Sequence, residues 1–220
     1  MSNKEDIDKY CSYFKERLEE IKTIQIRLYC KILIVAIIDS LARTVYPNKG
    51  NKERFISFIR CFSDWEDCNR VSLLKLLCAL NSQSDPKITN SELKKKVEEK
   101  LRNWQSTKVY WINEVDLCEQ ELKKLTTNQN LIKLIEESKH AELLYTYRNH
   151  LVHEFREPGY PIEPNNDENP CYRGQELVYP VGFFVRIAEK LLANLKHYLE
   201  ENDLNPYSSY QFGSIWRSRR

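Results

Sequence analysis

Residues 148–153 read Arg-Asn-His-Leu-Val-His, a set of side chains able to grip a phosphate and move a proton. A guanidinium keeps its charge and offers a planar fork that matches phosphate oxygens, while an imidazole titrates near neutrality. On a helix turning about 100° per residue, Ala141, Leu144, Tyr145, Leu151, Val152 and Phe155 share one apolar arc of roughly 120°, with Arg148 near its centre. Burying a charge there is costly unless a carboxylate, a phosphate or water meets it. Asn149 and His153 are four residues apart and share the polar flank of the same helix. His150 falls about 60° further round, on the side away from the core, where solvation is expected.

Cutting RNA without a metal needs a base to activate the ribose 2′-OH, an acid to protonate the leaving 5′-oxygen, and a cation facing the phosphorane oxygens. His153 suits the first two tasks and Arg148 the third. One chain supplies one such histidine, so an acid and a base together require two copies of the helix across a two-fold axis, and a homodimer is expected. Products would carry a 2′,3′-cyclic phosphate and a 5′-hydroxyl, and DNA, which lacks the nucleophile, would be spared. No Cys-x-x-Cys or His-Glu-x-x-His spacing occurs, nor a Gly-rich phosphate loop or nucleophile elbow. Neither a metal nor a cofactor is expected.

The spacing Arg-Asn-x-x-x-His on a helix late in a helical chain resembles the motif of the HEPN superfamily, mostly metal-independent ribonucleases of toxin-antitoxin, anti-phage and CRISPR-linked systems. The resemblance implies that Arg148, Asn149 and His153 form the active site, in a cleft built by both protomers of a homodimer. It also implies a toxin or defence effector, with an antitoxin or regulatory partner conceivable. Phe155 stands where some members carry a tyrosine that a partner nucleotidyltransferase modifies, so that mode of control is not expected here. The alternative is a non-catalytic HEPN-like module that binds RNA or a partner protein.

Asp39, an acid in an otherwise apolar helical run, is the expected partner of Arg148. Such a pair either supports the site or simply sets helix register. Tyr147, Arg156, Tyr160, Tyr172 and Arg173 are the candidates for RNA contact, with rim packing and loop anchoring as their other reading.

The elements that must position these groups are read as helices. Five glycines in 220 residues and a charged fraction of 30% favour an all-α fold, here a HEPN-like antiparallel helical bundle in one domain spanning 1–220. Residues 3–45 read as one long helix or two joined near Thr23, with Ser2 and Glu5 as a capping box and Ile32–Ala42 as the central helix. Helical patterns follow near 52–62 and 71–80. Residues 83–128, with the charged run 91–100, read as an insertion decorating the bundle, and Val109–Ile112 is ambiguous between strand and helix. The motif helix spans about 130–156 with a break near Ser138. A loop with five prolines occupies 157–180, and Phe184, Ala188, Leu191, Leu192, Leu195 and Leu199 mark a last amphipathic helix. Residues 205–220 form a tail with a basic end that could touch RNA.

A net charge of +2 leaves any RNA contact to a local patch. Seven cysteines, an odd number mostly in apolar patterns, fit a reduced cytoplasmic protein. The start of the chain lacks the apolar stretch of a signal peptide, and the run Ile32–Ile38 is far short of the ~20 residues of a membrane span, so no membrane association is expected.

Overall fold

A computed structural model describes residues 3–158 and 169–209. In chain order the elements are α1 (Lys4–Lys22), α2 (Arg27–Val45), α3 (Asn51–Phe62), β1 (Arg70–Val71), α4 (Leu73–Asn81), α5 (Pro86–Thr89), α6 (Glu92–Leu101), β2 (Val109–Trp111), α7 (Ile112–Val115), β3 (Leu117–Cys118), α8 (Glu119–Lys123), α9 (Gln129–Glu137), α10 (His140–His153), β4 (Cys171–Arg173), β5 (Glu176–Val178) and α11 (Val181–Glu201). The fold is mostly helical. It is not all-α, because two small antiparallel sheets are present: β1 pairs with β3, and β2, β4 and β5 form a second sheet in that order. No helix among the described residues is long and apolar enough to cross a membrane.

The chain divides into two compact units, residues 1–64 with 184–220, and residues 65–183; the boundary falls inside α11. In the first unit α1 buries Ile7, Tyr10, Cys11, Phe14, Leu18 and Ile21, a run at helical spacing, and stops at Thr23, where α2 is joined. Ser2 lies outside the described residues; Asn3 is the N-cap of α1 and makes no side-chain cap. Helix α2 buries Ile34, Val35, Ile38, Leu41 and Ala42, yet Tyr29 and Leu33 are each 42% exposed, so it is not surrounded as a central helix would be. All six apolar positions expected on α11 are buried. Each fully buried aliphatic side chain contributes about 1.5–3 kcal/mol to holding these helices together.

In the second unit, Val71, Leu73, Leu76, Leu80, Ile88, Leu93, Val97, Leu122, Leu131 and Ile135 make one core. Residues 83–128 therefore interlock with α4 and α9, because Leu93 and Val97 place an apolar stripe one turn apart inside a charged run. Side-chain caps from Ser72, Asp85, Ser91 and Asn128 start α4, α5, α6 and α9, at roughly 1 kcal/mol each.

The expected loop 157–180 contains the β4–β5 hairpin. Its two-residue turn places Gly174 at φ 61°, the positive-φ-first pattern of a tight hairpin, with Arg173 facing Glu176. A Cβ on Gly174 would lie 3.3 Å from the Ser106 carbonyl oxygen, so the turn also allows close backbone approach. Strand β4 carries this hairpin onto β2, resolving 109–111 as strand.

Candidate functional site

The motif helix is set by what precedes it. Chain direction changes at Ser138, the C-cap of α9, and Lys139, the N-cap of α10, is 4% exposed. Its ammonium pairs with Glu119 and Glu136, and Lys123 closes the cluster by pairing with the same two carboxylates. Burial pushes the Glu136 carboxyl up, but hydrogen bonds from Lys123 and Lys139 outweigh it and hold the group down at about 2.

The first residue of α10, His140, is wholly buried. Its Nε2 lies 2.7 Å from Asp116 Oδ2 and its Nδ1 3.1 Å from the Tyr179 hydroxyl. An ionised carboxylate only accepts, so Nε2–H donates to Asp116 and, in the neutral ring, Nδ1 accepts from Tyr179. The Tyr172 hydroxyl is 2.7 Å from both Asp116 Oδ2 and Ser72 Oγ, and the Leu73 N–H donates to Asp116 Oδ1 at 3.0 Å. Burial, reinforced by the Asp116 charge, pushes both tyrosine hydroxyls well above their ordinary range, which keeps them protonated. Five polar side chains thus lock the start of α10 to β4, the chain after β5, and the segment before β3. The sequence reading missed this hub. Its members are scattered from Ser72 to Tyr179, and the only local signal is an acid flanked by Val115 and Leu117.

Further along, α10 buries Ala141, Leu144, Tyr147 and Leu151. Arg148 is half-buried, and Val152 and Phe155 are 38% and 59% exposed, so the inward position expected for Arg148 belongs to Tyr147. The physical reason is cost. The Tyr147 ring packs edge-on against Tyr179 at 5.3 Å and its hydroxyl donates to Glu157 at 2.5 Å, whereas a guanidinium in that place would need a buried counter-charge.

Arg148, Asn149 and His153 come together at the end of α10. Arg148 Nη1 donates to Asn149 Oδ1 at 3.0 Å and lies 3.2 Å from His153 Nε2. A guanidinium has no acceptor, so the second contact requires a lone pair on Nε2, the form of imidazole that can take a proton. The Arg148 guanidinium carbon is 5.9 Å from the Tyr145 ring centroid, which adds a cation–π contact. Helix α10 ends at His153, with Phe155 in the left-handed region at φ 53° and the Arg156 N–H donating to the His150 carbonyl at 3.3 Å.

His150 Nδ1 bonds Glu154 at 2.8 Å, and Arg156 pairs with the same carboxylate at 2.5 Å, so both are drawn away from the Arg148 cluster. The His150 hydrogen bond, with Arg156 behind it, holds Glu154 below its ordinary range. Tyr172 is 1% exposed and Tyr147 3%, so neither ring offers a base a face. Arg173 is half-buried on β4, and its buried Nε lacks a hydrogen-bond partner. Asp39 is half-buried on α2, in the first unit. Tyr160 and the basic tail lie outside the described residues.

No family model, curated protein or solved structure matches this chain.

Proposed function

We propose that the chain is a HEPN-like, metal-independent endoribonuclease, acting as a homodimer in a toxin or defence role in the cytoplasm. The observation that carries this reading is the convergence of one guanidinium, one amide and one imidazole nitrogen at the end of α10. Arg148 would release His153 when a phosphate arrives and neutralise charge on its oxygens. Asn149 would hold the guanidinium fork in plane, and His153 would take the 2′-OH proton. The second protomer's copy of this histidine would protonate the leaving 5′-oxygen.

One observation favours a second reading, a non-catalytic module binding RNA or a protein: Arg148 already satisfies Asn149 and His153 without a substrate. Incubation with RNA and DNA oligonucleotides of one sequence in EDTA separates the two. The enzyme cuts the RNA and spares the DNA. A folded chain that leaves both intact is a binding module.

A further inference from the structure

The residues from Lys100 to Asn113 include three cations, Lys100, Arg102 and Lys108, and no acid. All three cations are exposed. Strand β4 adds Arg173, which faces Val109 across the ladder. Among the described residues, none of these four side chains forms an ion pair or side-chain hydrogen bond, although Lys94 and Lys96, one turn earlier on α6, are paired with Glu98 and Glu99. In a chain of net charge +2 this is a local positive field.

Two aromatic rings stand among these cations. Trp104 stacks on Tyr110 with centroids 4.2 Å apart and an interplanar angle of 26°, and both are half-buried. Their polar atoms are already used: Trp104 Nε1–H donates to the Gly174 carbonyl at 2.8 Å, and the Tyr110 hydroxyl accepts from the Gln105 N–H at 3.0 Å. Trp104 also meets buried Tyr172 in a T-shaped contact, with centroids 5.4 Å apart. The pair is therefore fixed in place, and an incoming ring meets a stack that needs no reordering.

We propose that the Trp104–Tyr110 stack and the cations Lys100, Arg102, Lys108 and Arg173 form a surface that holds single-stranded RNA. The cations take phosphates, and the stack extends onto an unpaired base, which offers a π-face that an acidic peptide lacks. Glu114, Glu176 opposite Arg173, and Glu98 and Glu99, which line one groove with Arg102, are the acids that border this surface. RNA as the occupant rests on the ribonuclease reading; the surface itself does not.

The test measures fluorescence anisotropy of a labelled 12-nucleotide RNA with the full chain at 50–200 mM NaCl. Variants are the double substitution Arg102→Glu with Lys108→Glu, Trp104→Ala, and, as a control away from both sites, exposed Lys87→Glu, each checked for native circular dichroism. The double variant, altered only at exposed side chains, should bind at least tenfold more weakly, with a salt dependence flatter by about 0.7 for each phosphate no longer neutralised. Trp104→Ala should weaken binding most visibly at high salt, and Lys87→Glu should bind as the unaltered chain does. Unchanged binding by the double variant overturns the proposal, as does polyglutamate competing as well as RNA. Loss of binding in the double variant with no cleavage by any form would keep this surface and remove the ribonuclease reading.

Discussion

His140 Nε2 and Asp116 Oδ2 lie 2.7 Å apart with both side chains shut off from solvent, directly at the first turn of the helix that carries Arg148, Asn149 and His153. The pair fixes where α10 begins and therefore the rotation at which its far end presents the motif.

Removing one member should strand the other. Asp116→Ala is expected to cost about 3 kcal/mol, because it leaves the His140 Nε2–H and Leu73 N–H donors buried without an acceptor at about 1–3 kcal/mol each, and Tyr172→Phe about 1–2 kcal/mol for the missing hydrogen bond. Urea unfolding reads both. A loss under about 1 kcal/mol for Asp116→Ala would show that the hub does not hold the helix.

Acid should loosen the joint between α9 and α10. Glu136 is held down at about 2, so its contribution is complete above the ordinary carboxylate range and fades as pH falls from about 4.5 toward 2. Discounted for its 37% exposure, the contribution is about 1–2 kcal/mol. Glu136→Gln should flatten the acid limb of a stability–pH curve in that window, and an unchanged limb would contradict this.

Gly174→Ala should destabilise by about 1–2 kcal/mol, since alanine tolerates positive φ poorly and its Cβ would press on Ser106. Thermal unfolding measures this. A neutral outcome would mean that the hairpin turn adapts.

The expectation from the sequence that Asp39 pairs with Arg148 is read by a double-mutant cycle with Asp39→Asn and Arg148→Met. A coupling of about 1 kcal/mol is expected for a partly exposed pair. Strict additivity would leave Asp39 with another task.

How much of this is legible in the sequence depends on period and separation. The six buried positions of α11, the joint at Thr23 and the break at Ser138 are legible, because apolar spacing and local caps act within a few residues. The β4–β5 hairpin is not, since three-residue strands among prolines carry no period. The rotation of α10 departs from the sequence expectation by one residue. Tyr147 reads as a rim aromatic, although its ring makes it a cheaper side chain to bury than Arg148. Asp116, His140, Tyr172 and Tyr179 are invisible as a set because only the fold brings them together.

Metal-free RNA cleavage is proposed to depend on His153. Purified wild-type chain and His153→Ala, incubated with cellular RNA in EDTA, give the most direct test through chemical analysis of the product ends. Fragments with 2′,3′-cyclic phosphate and 5′-hydroxyl ends from the wild type, reduced at least a hundredfold in the variant, are the expected result. Equal cleavage by both forms, or cleavage that needs a metal ion, would contradict the account.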